Sequence, residues 1–173
     1  MSLVRKVATL ALGEGAARGL GVIVYIVIAR SLGVEGFGVF SFAMGTALLA
    51  SVVIDMGQNP HLGRTVSRGG PDAAHVFARA TANKVLAGIV IISAVYAGMT
   101  LLSFPAETVH ATALMIGWGL SLTVLDGIRS LMRALGRMGS DSLINGLESV
   151  GRLAAVGLVA WLDLGVVGFT FAF

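Results

Sequence analysis

Two pairs of ionisable residues stand out because the chain around them carries almost no charge. Glu14 and Arg18 are four residues apart, and so are Glu148 and Arg152. In a helix this spacing puts both members of a pair on one face, with Glu on the N-terminal side, the favourable order for a local ion pair. The chemistry open to such an arginine is anion binding. Its planar guanidinium can donate to two phosphate oxygens at once and stays charged at any physiological pH. Two readings stand side by side. The residues Arg18, Glu14, Arg152 and Glu148 line a cationic cavity that draws in an anionic headgroup, or each pair neutralises itself and holds helices together.

The elements that must position these groups are apolar and long. Gly36–Ile54, Val85–Phe104 and Thr108–Leu125 contain no charged residue, and each is about long enough to cross a hydrocarbon core as a helix. Of the 173 residues, 56% are hydrophobic and only 12% charged, and the mean hydropathy is +0.91. A soluble domain of this length carries about twice that share of charge. The fold class is therefore an all-α membrane protein, a polytopic transmembrane helix bundle. The pattern predicts helices over about 4–32, 36–56, 73–104, 107–138 and 141–162, with the start of a sixth at 166. Gly33, the Gly57–Pro60 segment, Gly69-Gly70-Pro71, Pro105, Gly139 and Gly165 mark the breaks between them. Arg18 falls about 20 Å along the first helix, too deep for its head to reach water easily. A lipid-facing charge at that depth is costly, so this face must point into protein or an aqueous cavity. The charges at Glu14 and Arg18 also argue against reading the N-terminus as a cleaved leader.

The remaining cations set orientation. Arg5 and Lys6 stand at the head of the first helix; Arg64, Arg68, Arg79 and Lys84 lie between the membrane parts of the second and third; Arg129, Arg133 and Arg137 lie between those of the fourth and fifth. The opposite connections hold only Arg30 among Glu35, Glu107 and Asp163. This bias places the N-terminus in the cytoplasm and the protein in the cell inner (plasma) membrane as a multi-pass chain. The cytoplasmic basic cluster of Arg129, Arg133, Arg137, Arg64 and Arg68 is expected to touch anionic lipid headgroups. Asp55 and Asp126, at the same end, are candidates to pair with these arginines or to cap helices. Although the pI is near 10, the cations flank apolar segments instead of tracking a phosphate backbone, so no nucleic-acid partner is expected. No cysteine is present, His61, His75 and His110 are not grouped as ligands, and no metal or cofactor is expected. No nucleophile–base set, phosphate loop or kinase-like signature occurs, so the chain is not expected to be an enzyme.

At the first helix and the turn after it, the chain resembles a known family. Ala17-Arg18-Gly19-Leu20-Gly21 and Ile28-Ala29-Arg30-Ser31-Leu32-Gly33-Val34-Glu35-Gly36-Phe37-Gly38 look like the opening of polysaccharide-biosynthesis flippases. These belong to the superfamily of multidrug, oligosaccharidyl-lipid and polysaccharide exporters. In that family the first helix carries an Arg followed by Leu-Gly and ends on Ala-Arg-x-Leu-Gly-Pro-Glu-x-Phe-Gly, and the second closes on Asp-Leu-Gly. Here the second closes on Asp55-Met56-Gly57, and Arg64 falls where the family often has an Arg-Glu-Val-Ala-Arg-like stretch. Val34 in place of the usual Pro, and Asn59-Pro60-His61 in the following loop, depart from the pattern. These motifs cover about residues 17–70.

The resemblance implies a transporter of twelve to fourteen helices in two bundles around a central cavity, and this chain would supply most of the first bundle. It would translocate a lipid-linked oligosaccharide, its substrate partner being a polyprenyl-diphosphate-linked sugar, by alternating access driven by an ion gradient or the membrane potential. By matching position, the role of the transport-essential cavity arginine falls on Arg18, and Arg30 corresponds to the Arg at the outer end of that helix. The alternatives are a cation-coupled drug exporter of the same superfamily and a non-transport membrane subunit of a polysaccharide assembly complex. The eight apolar residues from 166 onward rise only about 12 Å as a helix. The sequence is thus expected to be the N-terminal part of a longer protein, whose partners are the lipid bilayer and a missing C-terminal bundle or a complementary membrane protein.

Overall fold

A computed structural model describes residues 3–67, 73–134, 150–151, 153–162 and 165–172; for 3–18, 20, 67, 73, 133, 134, 171 and 172 the description is of the backbone alone. The described residues form helices α1 (Leu3–Asp55), α2 (Gln58–Ser67), α3 (Ala73–Leu101), α4 (Ala106–Ala134), α5 (Leu153–Leu162) and α6 (Gly165–Ala172). Three described helices, Gly21–Asp55, Ala74–Leu101 and Ala106–Met132, are long and apolar enough to cross a membrane. The protein is an all-α membrane bundle. The predicted ends at 138 and 141 lie outside the described residues, and so does the first half of the fifth predicted helix.

α1 is a helical hairpin rather than one rod. Gly33 interrupts it with φ 66° and ψ −171°, a backbone region that only glycine occupies without strain. Tyr25 and Phe40, fifteen residues apart, would be separated by about 22 Å in a straight helix. Their rings instead meet edge to face with centroids 6.4 Å apart, so the arm before Gly33 folds back along the arm after it. Gly33→Ala is accordingly expected to destabilise the bundle by about 1–3 kcal/mol through the forced backbone conformation. Gly38→Ala, in the second arm with open space around a Cβ, is its control. Thermal unfolding of the detergent-solubilised protein compares the two.

The second arm buries Phe40, Ala43, Ala47, Ala50 and Ile54, alternating steps of three and four that keep one stripe on one side. Three of the five are alanines because the neighbour comes very close. A Cβ at Gly119 of α4 would stand 3.2 Å from the Ala47 carbonyl oxygen, so small side chains let the backbones nearly touch. α4 is the hub: it packs against α1, α2, α3 and α6 and buries Ala111, Met115 and Ile116 completely. α6 closes the cluster with Val166 and Phe169.

α3 shows the inverse of a soluble helix. Val85, Leu86, Ile89, Val90 and Tyr96 point outward, as they should where the solvent is hydrocarbon, whereas its deepest buried side chain is Lys84. The helix pattern predicted α3 to run to 104. It ends at Leu101 because Ser103 turns left-handed, φ 58°, and the Phe104 amide donates back to the Met99 carbonyl at 3.1 Å, a left-handed cap. Phe104 then stacks on Phe42 at 5.9 Å, tying this turn to the end of the bundle that carries Gly33.

Candidate functional site

At the opposite end, the ionic groups gather. Asp55 closes α1, and the chain reverses through Met56 (φ 44°) and Gly57 (φ 76°) into α2. Two successive left-handed residues, one of them not glycine, make this a strained turn. A carboxylate in the last turn of a helix also meets the negative end of the helix dipole. What compensates is Lys84. Its Nζ lies 3.0 Å from Asp55 Oδ1 and donates to Asn59 Oδ1 at 2.5 Å and to the Thr123 carbonyl oxygen at 2.8 Å. An ammonium has three protons; here it donates to acceptors on α2 and α4, and the Asp55 carboxylate of α1 adds a charge contact. Lys84 itself is 1% exposed, so its ammonium is held away from water.

The network continues around it. Asn59 Nδ2 donates to the same Thr123 carbonyl at 3.1 Å, and Ser130 Oγ donates to the Asn59 carbonyl at 2.9 Å. A helical carbonyl can accept these extra bonds only if its flank is open. Gly127, one turn on, leaves it open: a Cβ there would stand 3.0 Å from Asn59 Oδ1 and 3.7 Å from Lys84 Nζ. Beside the network lies a cleft of about 300 Å³ lined by Ser51, Val52, Asp55, Asn59, Thr123 and Asp126 at the Gly57 turn. Asp126 pairs with Arg129 at 3.3 Å, one turn along α4. Lys84 lies 17 residues before the end of α3 and Asp126 lies 20 residues after the start of α4. These are rises of about 26 and 30 Å, one hydrocarbon thickness from the turn at 102–105.

Several residues singled out from the sequence fall elsewhere. The backbone is helical at Glu14 and Arg18, but their side chains lie outside the described residues. Glu148, Arg152, Arg68 and Arg137 lie outside them altogether, and so does the side chain of Arg133. Arg64 is exposed in the last turn of α2, and Arg129 is largely buried. Asp126 takes an arginine partner. Asp55 does not: its partner is Lys84, which the charge pattern had counted among the cations of the water-facing connection. That expectation is corrected by the burial of Lys84. In the sequence alone Asn59 is only a departure from the family pattern in a loop. The available signal was Asp55 and Lys84 as unlike charges at the ends of two apolar runs joined by one connection. His110 stacks on Tyr96 at 6.2 Å, and among the described residues no group of three acidic or histidine side chains could hold a metal.

Chemically the site is an ion-pair junction with an adjoining cleft, and it contains no nucleophile–base arrangement among the described residues. A family model described as polysaccharide biosynthesis protein matches residues 3–172. No curated protein and no solved structure matches the chain.

Proposed function

The chain belongs to the polysaccharide biosynthesis protein family, and from that premise we propose that it translocates a lipid-linked oligosaccharide across the cell inner membrane by alternating access. The single observation that carries this reading is a family match spanning 3–172 on an apolar helical bundle. In this reading the bundle works against a second one, the N-terminus is cytoplasmic by the distribution of Lys and Arg, and the Lys84 end faces the cytoplasm. Arg18, with Glu14 beside it, and Arg152, with Glu148, line the cavity and take the diphosphate of the substrate headgroup. The polyprenyl tail stays in lipid throughout. Arg64, Arg68, Arg129, Arg133 and Arg137 lie toward anionic lipid at the entry side.

The protein is then a transporter and not an enzyme, with no bond made or broken. The test is translocation in membrane vesicles from cells producing the full open reading frame. A fluorescent polyprenyl-diphosphate oligosaccharide presented on the cytoplasmic face is expected to become accessible on the other face faster than in vesicles lacking the protein. The matching polyprenyl glycoside without diphosphate is expected to gain nothing. Movement of lipophilic cations instead of the diphosphate lipid would identify a drug exporter. Movement of neither would leave an assembly subunit, and either result overturns the proposal.

A further inference from the structure

The junction at Lys84 is built like a fastening. Its two hydrogen-bond acceptors and its ion-pair partner sit on three other helices, so one side chain fixes where α1 ends, where α2 begins and how both lie on α4. The turn it fixes is strained at Met56 and Gly57, and strain of this kind persists only while the surroundings enforce it. Nothing covalent does so here: besides the Lys84 junction, the turn is held to α4 by the Asn59 and Ser130 hydrogen bonds, and Leu62 of α2 is itself buried. The cleft lies directly alongside, and Asp55 keeps 21% of its side-chain exposure there. A released Asp55 would therefore meet water rather than hydrocarbon, which lowers the cost of parting the pair.

We propose that Lys84 is a releasable tie: when its ammonium leaves Asp55 and the Thr123 carbonyl, the α1–α2 turn moves off α4 and the cleft opens into a polar vestibule. This deepens the alternating-access reading by assigning the tie to one end of the bundle, and it rests on that reading for its role in transport. The motion itself is a property of the described helices and needs no substrate to be seen.

The chain has no cysteine, so a single introduced thiol is an unambiguous probe. Ser51→Cys places it on the cleft wall, where a maleimide reacts only as fast as water reaches it. Two changes break the tie by different means. Lys84→Met removes the charge, and Gly127→Val fills the slot through which Lys84 reaches the Thr123 carbonyl while leaving every charge in place. Each is expected to raise the labelling rate of Cys at 51 by at least about tenfold, the shift produced by losing one charge-assisted hydrogen bond. Met115→Cys, at a fully buried position of the core, reports general loosening and is expected to stay unreactive in both backgrounds. An unchanged rate at position 51 in either background overturns the tie. So does equal acceleration at 51 and 115, which would make Lys84 a brace for the whole bundle. Labelling is read without substrate, so a failure to move diphosphate lipids would leave this result standing, and the reverse.

Discussion

Replacing Arg18 by Ala is expected to cut diphosphate-lipid translocation by about 100-fold, the loss of roughly 3 kcal/mol of charge-assisted hydrogen bonding to phosphate. Depth and chemistry together set the size of this loss. Arg18 lies on the helical first arm of α1, in a stretch with no charged neighbour other than Glu14 between Lys6 and Arg30. Such a cation is stable in a membrane only beside a counter-charge or in a wet cavity, and Glu14 is the acidic residue nearest to it in sequence. A diphosphate that enters the cavity competes for the same guanidinium and binds it through two oxygens. Arg18→Lys keeps the charge but loses the fork, so it should retain an intermediate rate, about tenfold down. Arg30→Ala, at the exposed end near Gly33, should change the rate by less than about threefold. Initial rates in vesicles, normalised to protein in the membrane, separate the three. An Arg18→Ala protein that transports at the parental rate would remove Arg18 from the substrate path and leave the self-neutralising ion pair as its role.

The apolar framework is legible because lipid imposes one rule on long stretches. A charge-free run such as 36–54 must be a helix in a bilayer, and the burial of Phe40, Ala43, Ala47, Ala50 and Ile54 follows from the spacing within it. Gly33 reads correctly as a break because no other residue takes its backbone conformation. Pro60 misleads. In a linear reading Asn59-Pro60 ends a helix, yet Pro60 occupies the first turn of α2, where a missing amide costs nothing. Lys84 is harder still. A lysine at the head of an apolar run can extend its ammonium to water or turn it inward. Which it does depends on Gly127 leaving a slot, and on Asn59 and Thr123 offering oxygens in it. Those residues are 25 to 43 positions away, and no local pattern connects them. The sequence speaks for single helices and is silent about contacts between them.

That dependence on distant partners gives the Lys84 junction its second measurable consequence, which is thermodynamic. Lys84→Met should destabilise the solubilised protein by about 3 kcal/mol, because it leaves the largely buried Asp55 carboxylate, 21% exposed, without its cation. It also leaves that carboxylate at the negative end of the α1 dipole. The loss is expected at the low end of the range for broken buried pairs, since Asn59 Nδ2 still bonds the Thr123 carbonyl and the cleft gives Asp55 some water. Adding Asp55→Asn to Lys84→Met removes the stranded charge and keeps an amide able to bond. The double variant should therefore recover about half of the lost stability, a coupling of roughly 1–2 kcal/mol. Asp55→Asn alone strands the cation instead. The ammonium keeps both of its hydrogen-bond acceptors, so this single change should cost less than Lys84→Met. Thermal or denaturant unfolding of the four proteins closes the cycle. Strictly additive losses would mean that Lys84 stabilises the bundle through Asn59 and Thr123, and that the Asp55 pair contributes little. A double variant more stable than Lys84→Met assigns the energy to the charge pair that the fold has drawn in from both ends of the α1–α3 connection.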